Sequence, residues 1–173
     1  MVGDEEKLRY IEDAGEKNFT AHLETSAILQ RESVTTVTVL LAGAGAALGF
    51  AAKQNLPLGH ISFSAICVSV YLFALSAAVV QLCLKVRNFP APANEPKNLN
   101  AVGYELSSIR WAELDNLQAR IEEAQQVNSS RTRSLNNLRL LASGTPFVAI
   151  LSGMAYEGWE ASVKDLVCSV LGG

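Results

Sequence analysis

The chain has 173 residues, enough for one small unit, and its formal charge of −3 gives no electrostatic case for a nucleic-acid partner. Apolar residues make up 49% and charged residues 18%, against roughly a quarter charged in an ordinary soluble domain, which argues against a simple soluble globule. Most of the charge lies in residues 4 to 32 and 85 to 139, so wet segments alternate with nearly neutral ones.

Residues 4 to 32 predict an amphipathic helix, with Leu8, Ile11, Phe19, Leu23 and Ala27 at helical spacing. Gly15 falls on the same stripe, adds no apolar surface and costs about 1 kcal/mol against alanine, which weakens the case for an unbroken helix. Glu6, Glu12, Glu16, Lys7 and Lys17 read as its solvated face. No Gly or Pro separates Arg31-Glu32-Ser33 from Val34, so the helix is free to run on. The opening residues are acidic and unlike a secretory signal, so the first apolar segment is expected to direct insertion itself.

From Val34 to Ala52 there is no charge, and after Lys53 there is none until Lys85. A bilayer core about 30 Å thick needs roughly 20 apolar helical residues. The pattern predicts a membrane hairpin over 34–85, with crossings at 34–52 and 61–84 and a polar bend from Lys53 to His60. His60 reads as a solvated residue of that bend. The first crossing is rich in small residues: Gly45 and Gly49 form a GxxxG pair beside Ala42 and Ala46. Lipid offers no hydrophobic drive between helices, so close approach over small residues is a main source of contact energy. Two readings stay open: a seam between copies of this chain, or packing against the second crossing. The glycine spacing Gly43, Gly45, Gly49 is not the dinucleotide fingerprint, and no acidic residue follows until Glu95.

The second crossing carries Ser62, Ser64, Ser69 and Ser76, whose hydroxyls are expected to bond within their own helix. It holds no charge, which argues against a proton relay in the membrane. Cys67 and Cys83 would lie about 24 Å apart along it, beyond disulfide reach. Three prolines make residues 86–102 an extended linker.

Residues 103–139 predict a long helix with Leu106, Ile109, Leu114, Leu117, Ile121 and Ala124 at heptad-like spacing, resumed by Leu135 and Leu138. Asn128 and Arg131 fall between, on the same seam. They read as register-setting or exposed residues, or as contacts at a pore mouth or with a partner or ligand. Residues 140–156 are uncharged, contain Pro146, and suit a third crossing or a re-entrant helix; 157–173 suit an interfacial helix with Trp159 at headgroup depth.

The fold class expected is therefore all-α, an integral membrane protein with three transmembrane helices, two cytoplasmic amphipathic helices over 1–33 and 103–139, and a C-terminal interfacial helix. Arg31, Lys85, Arg87, Arg131, Arg133 and Arg139 flank one side of the crossings, against Lys53 and Lys164 on the other. The positive-inside rule then puts the N-terminus in the cytoplasm and the bend outside. No CxxC, HExxH, P-loop or GxSxG occurs, and two histidines with lipid-embedded cysteines make a poor metal site. An enzyme is not expected, nor a cofactor.

The stretch from Tyr104, Glu105 and Leu106 through Asn128, Arg131, Arg133, Leu135 and Leu138 to Ala142 is similar to the long helix of small bacterial defence effectors of the SLATT type, which pair with nucleotide-second-messenger sensors as in CBASS systems. The whole layout resembles theirs, although Val34 to Phe50 is poorer in Leu and Ile than their usual hairpin. The resemblance implies a homo-oligomeric effector of the inner membrane that permeabilises it on infection. It also implies a cytoplasmic sensor protein or a nucleotide second messenger as partner. A membrane anchor recruiting a soluble protein and a holin-like small channel are the alternatives.

Overall fold

The computed structural model describes residues 2–53, 59–85 and 103–171, with side chains described from 5 to 162 within those ranges. The described residues are almost wholly helical and contain no strand. The helices are α1 (Val2–Lys53), α2 (His60–Val79), α3 (Leu106–Ser143) and α4 (Thr145–Leu171); α2 runs directly into a π-helical turn, Val80–Leu84. The linker expected at 86–102 and most of the hairpin bend lie outside the described residues, as do the side chains of the C-terminal surface helix beyond 162. Among the described residues two helices, α1 and α2 with its π-helical turn, are long and apolar enough to cross a membrane, and α3 with α4 qualifies as a third if the bent pair is taken together.

The chain divides into two compact units, 1–31 with 85–133 and 32–84 with 134–173. In the first unit the stripe of α1 meets the seam of α3. Phe19, Leu117, Ile121 and Ala124 form the core, flanked by Leu23 and Leu114. Gly15 has a packing reason: a Cβ there would come 2.7 Å from Leu117 Cδ2, so the leucine fills the space a side chain would take. The buried face of α1 turns to Ser26 where apolarity pointed to Ala27, which is exposed, and Leu106 stands 71% exposed, outside the seam.

The first unit also corrects the reading of Glu12 as solvated. Its carboxylate accepts two bonds from Arg110, Nε to Oε1 at 2.8 Å and Nη2 to Oε2 at 2.6 Å, with both side chains largely covered. This bidentate geometry is the one the planar guanidinium favours. The hydrogen-bonded Arg110 holds the Glu12 carboxyl below its ordinary range, against an opposing push from burial, and the carboxylate raises Arg110 in return.

The second unit builds its core from three helices: Leu40 and Ala44 of α1, Leu72, Leu75 and Val79 of α2 with Cys83, and Leu135 and Leu138 of α3. Ala44 and Val79 are fully buried. Ser69 donates to the Ala44 carbonyl at 2.9 Å, so this serine bonds across to α1 and not within its own helix; Ser76 bonds Phe73 O as a local serine would. Arg139 donates to the Glu32 carboxylate and, from Nη2 at 3.0 Å, to the Thr36 hydroxyl.

The break between α3 and α4 falls at Gly144 and turns the chain by 46°. Proline has no N–H, so Pro146 cannot serve the carbonyl four residues back. That carbonyl, Ala142 O, takes the Thr145 hydroxyl at 2.6 Å instead. Leu141 O accepts the Gly144 amide at 2.9 Å and the Tyr71 hydroxyl, from α2, at 2.7 Å. The helical turn is closed tightly at one point and supplied by side chains at the next. From there α4 continues without interruption past residue 157.

Candidate functional site

The small-residue segment of α1 has two differently occupied faces. Leu40, Ala44 and Ala51 are buried, and a Cβ on Gly43 would lie 3.2 Å from Leu72 Cδ1, so this face carries the contact with α2. Ala42, Gly45, Ala46 and Gly49 are all exposed. A Cβ on Gly45 or Gly49 would meet no atom within 4 Å. The spacing of four keeps these residues on one stripe, one turn above another. Within the described chain the close approach to α2 is made over Gly43 and Ala44, and the GxxxG pair is left open.

Asn128 and Arg131 sit in the other unit, on the α1–α3 seam. Asn128 is 5% exposed, and its amide donates from Nδ2 to the His22 carbonyl at 2.8 Å. Its Oδ1 is buried without a hydrogen-bond partner. The donor role fixes the amide's orientation, since the reversed group would set oxygen against oxygen. Arg131 Nη1 donates to the Ser26 hydroxyl at 3.2 Å. Both residues therefore tie α3 to α1 at one register. Shifting either helix by one residue would break both bonds and leave the buried Asn128 amide without an acceptor, a cost of about 1–3 kcal/mol.

Sequence reasoning found these two residues but missed their partners, His22 and Ser26, because a carbonyl carries no sequence signal and a serine reads as surface. It also missed an open apolar trough of about 550 Å³ among α1, α2 and α4, whose lining includes Ala47, Ala65, Val68 and Ala149. Phe63 and Tyr156, neighbours in sequence of lining residues, meet with ring centroids 5.3 Å apart and planes tilted by 36°. Among the described residues no three His, Cys, Asp or Glu side chains converge on a metal position.

No family model matches this chain, and neither a curated protein nor a solved structure matches it.

Proposed function

We propose that this chain is an integral membrane protein that associates with copies of itself and permeabilises the membrane. The observation that carries the reading is the uncovered stripe Ala42, Gly45, Ala46 and Gly49 on a helix whose opposite face is already occupied. In lipid, such a stripe gains contact energy only when another backbone comes close.

The membrane reading is supported by what the second unit exposes. Val39, Val70, Phe147, Ile150 and Leu151 are each at least 60% exposed, and Leu140 reaches 73%. Water would penalise so continuous an apolar surface, whereas lipid matches it. The N-terminal unit, with its charged exterior, takes the cytoplasmic side by the basic-residue count. Anti-phage defence is the setting suggested by the SLATT-type resemblance, and that unit is where a sensor protein or second messenger would act.

The test is reconstitution into liposomes with dye-release and cross-linking readouts. The full chain should give cross-linked ladders and release dye. Gly45→Leu and Gly49→Leu should shorten the ladders and reduce release, because each leucine holds the backbones apart. Ladders unchanged in both variants would overturn the seam, and intact vesicles holding abundant oligomer would overturn the permeabilising role in favour of an anchor that recruits a soluble partner.

A further inference from the structure

The trough among α1, α2 and α4 has a direction. Along α2 it is lined by His60, Ile61, Ser64 and Val68, along α4 by Glu157, Met154 and Ile150, and on the α1 side by Ala47 and Phe50. Helices α2 and α4 run antiparallel: Phe63 near the start of α2 meets Tyr156 of α4, while Tyr71, further along α2, reaches Leu141 at the end of α3, just before α4 begins. The groove's two ionisable residues therefore stand at the same end, and each helix becomes apolar away from it. The walls remain half open, with Ile61 54% and Ile150 60% exposed, so this is a furrow along the surface and not a closed chamber. Its volume lies within the roughly 300–1,000 Å³ typical of small-molecule sites.

We propose that this furrow binds one membrane lipid lengthwise, an aminophospholipid whose acyl chain lies along the apolar walls and whose ammonium faces Glu157. This rests on the membrane reading above. A tail alone would need only the apolar walls; the polar end asks for a head. Glu157 is an exposed carboxylate, which attracts a cationic head and repels an anionic one. His60 offers an imidazole N–H to the phosphate between head and tail. The furrow's polar end lies at the start of α2, beside the hairpin bend, where the basic-residue count puts the outer headgroup layer.

The experiment is native mass spectrometry of the full chain in detergent, with phosphatidylethanolamine and phosphatidylglycerol added in turn, after flotation of the chain with liposomes. The wild type should retain phosphatidylethanolamine about three- to fivefold better, the scale an exposed charge contact supports. Glu157→Gln, a surface change that leaves the packing alone, should remove that preference. Ala65→Phe, which puts a ring into the lining, should release both lipids, whereas Val39→Phe, on an exposed face elsewhere, should release neither. Equal retention of the two lipids by the wild type, or a preference that survives Glu157→Gln, would mean that only ordinary surrounding lipid is bound, and would overturn the proposal. A chain that floats but shows no preference sinks the lipid site alone, and one that fails to float with liposomes sinks the membrane reading as well.

Discussion

The two units of this chain are built from overlapping helices and opposite surfaces. In the first, Leu8, Phe19, Leu117 and Ile121 are buried beneath an exterior of Glu, Lys, Asp and Arg. In the second, Val39, Val70, Phe147, Ile150 and Leu151 stand exposed, while Ser33, Ser62, Ser69, Ser76 and Ala44 lie inside beside the core of Leu40, Leu72, Leu75, Val79, Leu135 and Leu138. The difference teaches what each surface suits. The first withdraws apolar area as a water-facing helix pair must; the second leaves apolar area outside and admits small and hydroxyl-bearing residues, which permit close contact and shared hydrogen bonds, as the proposed lipid setting would favour.

The sharpest way to break this contrast is to put a charge on each exterior. Val70→Asp in the middle of α2 should cost about 3 kcal/mol of insertion if lipid surrounds it. Tyr10→Asp in the first unit should change stability by less than about 0.5 kcal/mol. Alkaline carbonate extraction of membranes reads the first and thermal melts the second; two equally silent substitutions would erase the contrast. Next in size, Ile121→Ala should destabilise the first unit by about 2 kcal/mol, since a core shared by two helices collapses easily around a lost side chain. Hydrogen exchange on the full chain should show protection falling over 5–31 and 106–133 while α2 is unmoved.

Asn128→Leu sharpens the comparison further. Removing the buried, unserved Oδ1 offsets the loss of the bond to His22, so the change in stability should stay within about 1 kcal/mol. Cysteine cross-links placed across the α1–α3 seam should nevertheless form at more than one register. A single register in the variant would assign the pairing to the apolar residues alone.

The smallest effect concerns Glu12. Its carboxyl is held below the ordinary value of 4.5 by Arg110, so its contribution to stability is complete above that value and is lost as pH falls through the lower, folded one. Acid titration should show the first unit loosening there, and Glu12→Gln should flatten that part of the profile. A profile identical in both proteins would remove the pair from the account.

Much of this architecture was legible in the residues themselves. The heptad spacing of Leu117, Ile121, Ala124, Leu135 and Leu138 located the buried face of α3, because apolar periodicity reports burial directly. The GxxxG pair could be found but not its exposure, since spacing says which residues share a face and not what covers it. Polar seam positions were harder. Glu12 resembles its solvated neighbours in every local respect, and only the distant Arg110 sets it apart. Ser69 gives no sign that its acceptor lies on α1. The break near residue 140 was placed by charge, but a helix ends where its amides run out of acceptors or its carbonyls run out of donors, and Gly144 with Pro146 decides that.

The corner between α3 and α4 has a consequence for any conformational change in this region. A straight helix would need an amide at position 146 for Ala142 O, and proline has none to give. The elbow has no fully amide-bonded straight form, and side chains stand in for water at two of its carbonyls, Thr145 at Ala142 O and Tyr71 at Leu141 O. Straightening the corner would give up both of those side-chain bonds and return no amide in exchange at Ala142 O.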